Sequence, residues 1–176
     1  MPFLFMLFVI APFILSIAFG VSMARSTSST GMKVMLVLYA ICMGVSLTSI
    51  GYVYDVATIG TAFLVSAVYF ISLAVIGRTS NKYFTSFGSF CMIGLFVLII
   101  TLCFMMLFRV SMDVRLWSVI GLLLFTGLTA WDIQKMNYML NGYEDEKISI
   151  YMALQLYLDF LNIFLYILRL LGRRDD

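Results

Sequence analysis

The 176-residue chain contains no histidine. That absence removes the commonest catalytic base, metal ligand and neutral-pH switch together. Serine-type nucleophilic chemistry loses its usual base with it, and any response to pH has to come from carboxylates. Charge is also scarce. Asp, Glu, Lys and Arg make up 11% of the residues, against about a quarter in soluble globular domains. So few charges cannot cover a water-exposed surface, and a net charge of +2 gives no reason to expect a nucleic-acid partner. Cysteine is limited to Cys42, Cys91 and Cys103, odd in number and set inside apolar runs. They read as small hydrophobes, neither a disulfide framework nor a metal site. No cofactor is expected.

What the chain has instead is apolar length. Hydrophobic residues account for 63% of it, and the mean hydropathy is +1.07. Charges punctuate long runs that predict spans at about 3–24, 31–54, 55–77, 83–108, 114–139 and 147–171. A helix crosses a hydrocarbon core of about 30 Å in roughly 20 residues. Open sheet edges are not viable in lipid, and these runs are too long for barrel strands. The expected class is therefore an all-α membrane protein, a polytopic bundle of six transmembrane helices forming one integral membrane domain over 1–176, with the lipid bilayer as its surroundings. The connections ARSTSSTGMK, GRTSNKY and NGYEDEK are rich in turn formers and charges. Tyr52, Tyr54, Tyr83, Trp117 and Tyr138 fall near span ends, either as interfacial anchors or as ordinary packing. Gly44, Thr48 and Gly51 make a small-residue stripe that predicts close approach of a neighbouring helix.

Lys and Arg set the expected orientation. Arg25, Lys33, Arg78 and Lys82 lie in the first and third connections, whereas the N-terminus and the second connection hold none. The positive-inside rule puts the first, third and fifth connections in the cytoplasm and both termini outside it. Arg109, Arg115, Arg173 and Arg174 run against that bias. The segment 3–24 has an alternative reading as a signal peptide, but no positive region precedes it and its apolar stretch is too long.

Two acids interrupt the last two spans. Asp159 stands in ALQLYLDFLNIFLYILRLL, about twelve residues into its helix, and Asp132 stands in GLTAWDIQKM. An Asp at a helix centre costs on the order of 2.5–3.5 kcal/mol to insert. A hairpin turning near Glu144 to Glu146 brings both to similar depth, each roughly twelve to fifteen residues from the turn. Burial and mutual repulsion favour retention of a proton by such a pair near neutral pH, and the two titrate as a unit. One shared proton joins them. Its loss separates them or leaves hard oxygen ligands suited to Ca²⁺. Asp132 and Asp159 are thus the predicted pH sensor, ion pathway and Ca²⁺ contact. The simpler readings are that Asp159 bonds Asn162, Gln155 or Tyr157, and that Asp132 pairs with Lys135 near the interface. Asp55 reads as an acid at a helix N-terminus, and the acidic residues of NGYEDEK as a solvated turn.

TAWDIQKM followed by MALQLYLDFLNIFLYILRLLG resembles the paired C-terminal motifs of the transmembrane Bax-inhibitor-motif family, bacterial branch. ATIGTAFLVSAVYF and GRTSNKYFTSFGSF are similar to that family's middle helices. The resemblance runs from about residue 50 to the end and is most specific in LYLDFLNIF. It implies a bundle with the last helix central and a pH-regulated Ca²⁺ leak in a bacterial inner membrane, with Asp132 and Asp159 as the di-aspartyl sensor. It also implies an Arg latch, which Arg25 matches; the other reading of Arg25 is a topology-setting charge. The family usually has seven helices, and the chain begins at what matches the second. Loss of one wall would leave a lipid-exposed groove or a place for a partner. A second expected function is therefore a non-transporting regulator of a membrane protease or another membrane partner. An intramembrane aspartyl protease is a third, disfavoured because no G-x-G-D surrounds either acid; a non-enzymatic protein is expected.

Overall fold

The computed structural model describes residue 21 and residues 28–80, 85–108, 113–142 and 146–172. Among these residues the regular elements are all helices, with no strand. They are α1 (Ser29–Leu47), a 3₁₀ turn (Thr48–Tyr52), α2 (Val56–Thr79), α3 (Thr85–Phe108), α4 (Val114–Gly142) and α5 (Glu146–Leu171). Five of the expected spans thus carry a helix, and the span expected at 3–24 lies outside the described residues. Ser29–Tyr52, Val56–Thr79, Val114–Met139 and Glu146–Leu171 are long and apolar enough to cross a membrane, and α3 contains the further apolar stretch Ser86–Thr101. The protein is a helical membrane protein.

Helix ends follow from local chemistry. Ser28 accepts a hydrogen bond from the Gly31 amide at 3.2 Å and so caps α1. Asp113 Oδ1 accepts from the Arg115 amide at 2.9 Å before the first turn of α4, where an acid also meets the positive end of the helix dipole. Asp55 immediately precedes α2, where an acid has the same advantage. In α5 the charges run with the dipole, Glu146 in the first turn and Arg169 in the last.

The chain divides into two compact units, one of residues 1–56 and 140–154 and the other of 57–139 and 155–176. In the first, Lys33 of α1 forms an ion pair with Glu146 at the start of α5, and Ser29 also bonds Glu146. The N-terminal ends of these two helices therefore lie side by side.

The second unit contains most of the buried core, with Met32, Tyr39 and Met152 buried in the first. Gln134 of α4 donates to the Ser80 carbonyl after α2 at 3.3 Å, and Tyr69 of α2 bonds Thr126 of α4 at 2.8 Å, so α2 and α4 run parallel. Close approach depends on missing side chains. A Cβ on Gly77 would stand 2.9 Å from the Ala130 carbonyl oxygen, one on Gly88 would enter the Trp131 ring, and one on Gly121 would enter the Tyr166 ring. Helices α3 and α5 thereby pack tightly on α4. The outer faces stay apolar: Phe90, Ile93, Phe96 and Leu107 of α3 are each more than 60% exposed. That face suits lipid, since contiguous apolar patches of this kind are rare on water-soluble monomers.

The small-residue stripe behaves differently. No described atom lies within 4 Å of a Cβ placed on Gly44 or Gly51. The 3₁₀ turn explains why the stripe is not one face. From Thr48 onward the backbone tightens to about three residues per turn, so positions aligned on an α-helix diverge. The Thr48 hydroxyl bonds its own chain at the Val45 carbonyl, 2.6 Å away. Of the span-end aromatics, Tyr52 and Tyr138 project outward at 92% and 77% exposure, as interfacial anchors do. Tyr54 and Trp117 are half-buried, and Tyr83 lies outside the described residues.

Gly88→Val is expected to destabilise the detergent-solubilised protein by about 1–3 kcal/mol, because the Trp131 ring must move. Gly44→Ala should be neutral or stabilising, since helix propensity favours Ala by up to about 1 kcal/mol. Thermal unfolding of the two variants beside wild type checks the contrast.

Candidate functional site, a buried aspartate pair

On α4, Thr129 and Asp132 are three residues apart and therefore share one face of the helix. Both point into the core: Thr129 is 0% exposed and Asp132 6%. On the antiparallel α5, Asp159 is 5% exposed. The carboxyl groups of Asp132 and Asp159 meet within hydrogen-bonding reach of each other, and the Thr129 side chain faces Asp159. Asp159 Oδ2 and Thr129 Oγ1 are enclosed and complete no hydrogen bond.

The surroundings are mostly apolar and aromatic. Phe160, next to Asp159 in the chain, is held edge-to-face by Phe63 and Phe70 of α2, with ring centroids 5.6 and 5.7 Å away. These contacts fix α5 against α2 and so limit rotation of the helix that carries Asp159. Behind Asp132, Lys135 lies within electrostatic reach of its carboxylate, while its ammonium stands 5.3 Å from the Trp131 ring centroid. Trp131 occupies the notch at Gly88. The aromatic ring thus places a cation one turn from the pair.

Asn162, an expected alternative partner of Asp159, donates instead to the Leu158 carbonyl of its own helix at 2.8 Å. Asp132 is buried with Asp159 and does not sit at an exposed interface. Arg25, the latch candidate, lies outside the described residues. Among the described residues no group of three or more His, Cys, Asp or Glu could hold a metal. A Ca²⁺ ion takes six to eight oxygens. The two carboxylates and the Thr129 hydroxyl supply fewer side-chain oxygens than that. Cys42 and Cys91 are free thiols.

The profile of the family described as "Inhibitor of apoptosis-promoting Bax1" matches residues 1–176. The chain belongs to the Bax inhibitor family. This family member is 35% identical over 177 residues to an uncharacterized protein of Borreliella burgdorferi, covering 98% of the chain and 76% of that relative. It is 34% identical over 170 residues to an uncharacterized protein of Rickettsia prowazekii, covering 94% and 72%. It is 36% identical over 155 residues to the inner membrane protein YbhL of Escherichia coli strain K12, covering 83% of the chain and 65% of YbhL.

For this Bax inhibitor-family chain, sequence reasoning singled out both acids but passed over Thr129. The three-residue spacing to Asp132 was a usable signal, yet a threonine in an apolar helix ordinarily bonds its own backbone. Nothing in the sequence distinguishes one that does not. The contact across α4 and α5 has a measurable signature. Asp132→Leu and Asp159→Leu should each destabilise the protein on the order of 1–3 kcal/mol by leaving one buried carboxyl without its partner. The double variant should cost clearly less than the sum. Additive losses in thermal unfolding would show that the two groups do not interact.

Proposed function

We propose that this protein is a pH-sensitive cation leak of the bacterial inner membrane, passing Ca²⁺ and gated by Asp132 and Asp159. The observation that carries the reading is the meeting of two buried carboxyls on adjacent membrane helices. Acids at such a depth are costly and mark ion or proton pathways. Family membership and the inner-membrane relative YbhL support the setting. With one proton between them, the two carboxyls form an O–H···O⁻ bond that draws α4 and α5 together. When the proton leaves, like charges push the helices apart. The same oxygens then attract a hard cation, for which carboxylates are natural ligands. Lys135, held over Trp131, offsets part of the negative charge at the closed pair.

No side chain in this scheme acts as a nucleophile, so the reading is transport and not catalysis. The alternative is a regulator that binds a membrane protease or another membrane protein without conducting. It uses the same fold but requires no charge separation at the pair.

Ca²⁺ entry into dye-loaded liposomes containing the purified protein, from about pH 6 to 8, tests the proposal. Flux should change across that window in wild type and lose its pH dependence in Asp159→Asn. Wild-type vesicles no leakier than empty ones would sink the leak and direct attention to a partner. Flux with the same pH profile in Asp159→Asn would remove the pair from the gate.

A further inference from the structure

Hydroxyls on these helices follow a rule. Thr61, Ser66, Ser72, Thr79 and Thr101 each donate to the carbonyl four residues earlier at 2.6–2.9 Å. On α4 itself, Ser118 and Thr126 do the same, to the carbonyls of Val114 and Leu122. The rule holds at depth, since Ser66 is 0% exposed. It is what an apolar surrounding imposes: a hydroxyl without water takes the nearest backbone acceptor. Thr129 departs from it. Its side chain is fully buried, its hydroxyl closes no bond to its own helix, and it faces Asp159 on α5.

An orphaned buried hydroxyl costs free energy, and so does an orphaned carboxyl oxygen. Here the two orphans are Thr129 Oγ1 and Asp159 Oδ2. One can donate and the other accepts, and they lie together. We propose that Thr129 is a positioning residue of the aspartate pair, donating its hydroxyl proton to Asp159 when that carboxyl is charged and so determining which member of the pair keeps the shared proton. This deepens, and rests on, the reading of the pair as a proton-responsive gate.

The direction follows from charge. A hydroxyl donor stabilises the ionised carboxylate more than the neutral acid. Thr129 therefore favours loss of the proton from Asp159 and leaves the one that the pair retains on Asp132, the member nearer Lys135 in sequence. Among the described residues, the charged groups acting on these carboxyls are the two acids themselves and Lys135 of α4. The aromatic rings of α2 packed on Phe160 bring no charge to it. A neutral isostere at 129 should consequently leave the Asp159 proton in place to a higher pH.

Infrared difference spectroscopy of the purified protein in nanodiscs reads that proton directly, without relying on transport. The protonated carboxyl stretch is followed against pH in wild type, Asp159→Asn, Thr129→Val and Thr129→Ser. A band removed or displaced by Asp159→Asn identifies the pair. Its midpoint should move upward by about one pH unit in Thr129→Val, as expected for loss of one hydrogen bond to a charged group. In Thr129→Ser, which restores the hydroxyl, it should stay at the wild-type position. Should Thr129→Val fail to fold, Thr129→Ala provides the same comparison. An unmoved midpoint in the hydroxyl-free variant overturns the proposal. So does an equal shift in Thr129→Ser, which would mark a packing effect, or the absence of any titrating band sensitive to Asp159→Asn. Liposome flux separates the two readings. A shifted band in a protein that does not conduct sustains Thr129 and refutes the leak, whereas pH-dependent flux with an unmoved band refutes Thr129 and leaves the leak standing.

Discussion

Two carboxyl groups facing each other away from water set the terms for the rest of this molecule. Asp132 and Asp159 are both buried, and a charge there calls for some compensating interaction. Part of that compensation comes from Lys135 on the same helix as Asp132 and part from the opposing helix. This requires α4 and α5 to run antiparallel in close contact, with residues 132 and 159 at one depth. Gly121 supports that approach, because any side chain there would strike Tyr166 of α5. The aromatic contacts of Phe160 with α2 hold the same helix from another side. The packing of the second unit is thus organised around a polar contact that a lipid-facing surface could not supply.

Lipid as solvent also changes what counts as a stabilising feature. There is little hydrophobic gain in burying one apolar helix face against another when the alternative is a hydrocarbon chain. Association then depends on fit and on polar contacts that have nowhere else to go. The glycine notches at Gly77, Gly88 and Gly121 provide the fit. The Tyr69–Thr126 and Gln134–Ser80 bonds provide polar contacts from α4 to α2 and to the residue that follows α2. Large residues on the outer face of α3 need no partner, since lipid serves them as well as protein would.

Membership of the Bax inhibitor family and the paired acids converge on one region of the chain. The LYLDFLNIF segment that carried the resemblance is also where burial and charge coincide. Conversely, the small-residue stripe at Gly44, Thr48 and Gly51 had a sound helical spacing, but the chain leaves the α-helix at Thr48, and among the described residues nothing lies within 4 Å of a Cβ on Gly44 or Gly51. Spacing arguments assume that one helix geometry persists, and they fail where it changes.

The sequence by itself determined the class of protein and the depth of its acids. Apolar runs long enough to cross a bilayer leave helices as the workable structure, and counting residues from the Glu144–Glu146 turn puts Asp132 and Asp159 at matching levels. Both are one-dimensional properties, fixed by the constant rise of a helix. Rotation of each helix about its axis was left to tertiary structure. That rotation decided that the acids face each other, that Asn162 turns to its own backbone, that Lys135 lies over Trp131, and that the Thr129 hydroxyl faces Asp159 without bonding its own helix. On α2, α3 and α4, which lack a marked apolar face, no amphipathic pattern marks the inner side. The fit of glycine notches against neighbouring helices, with the few interhelical polar contacts, selects it.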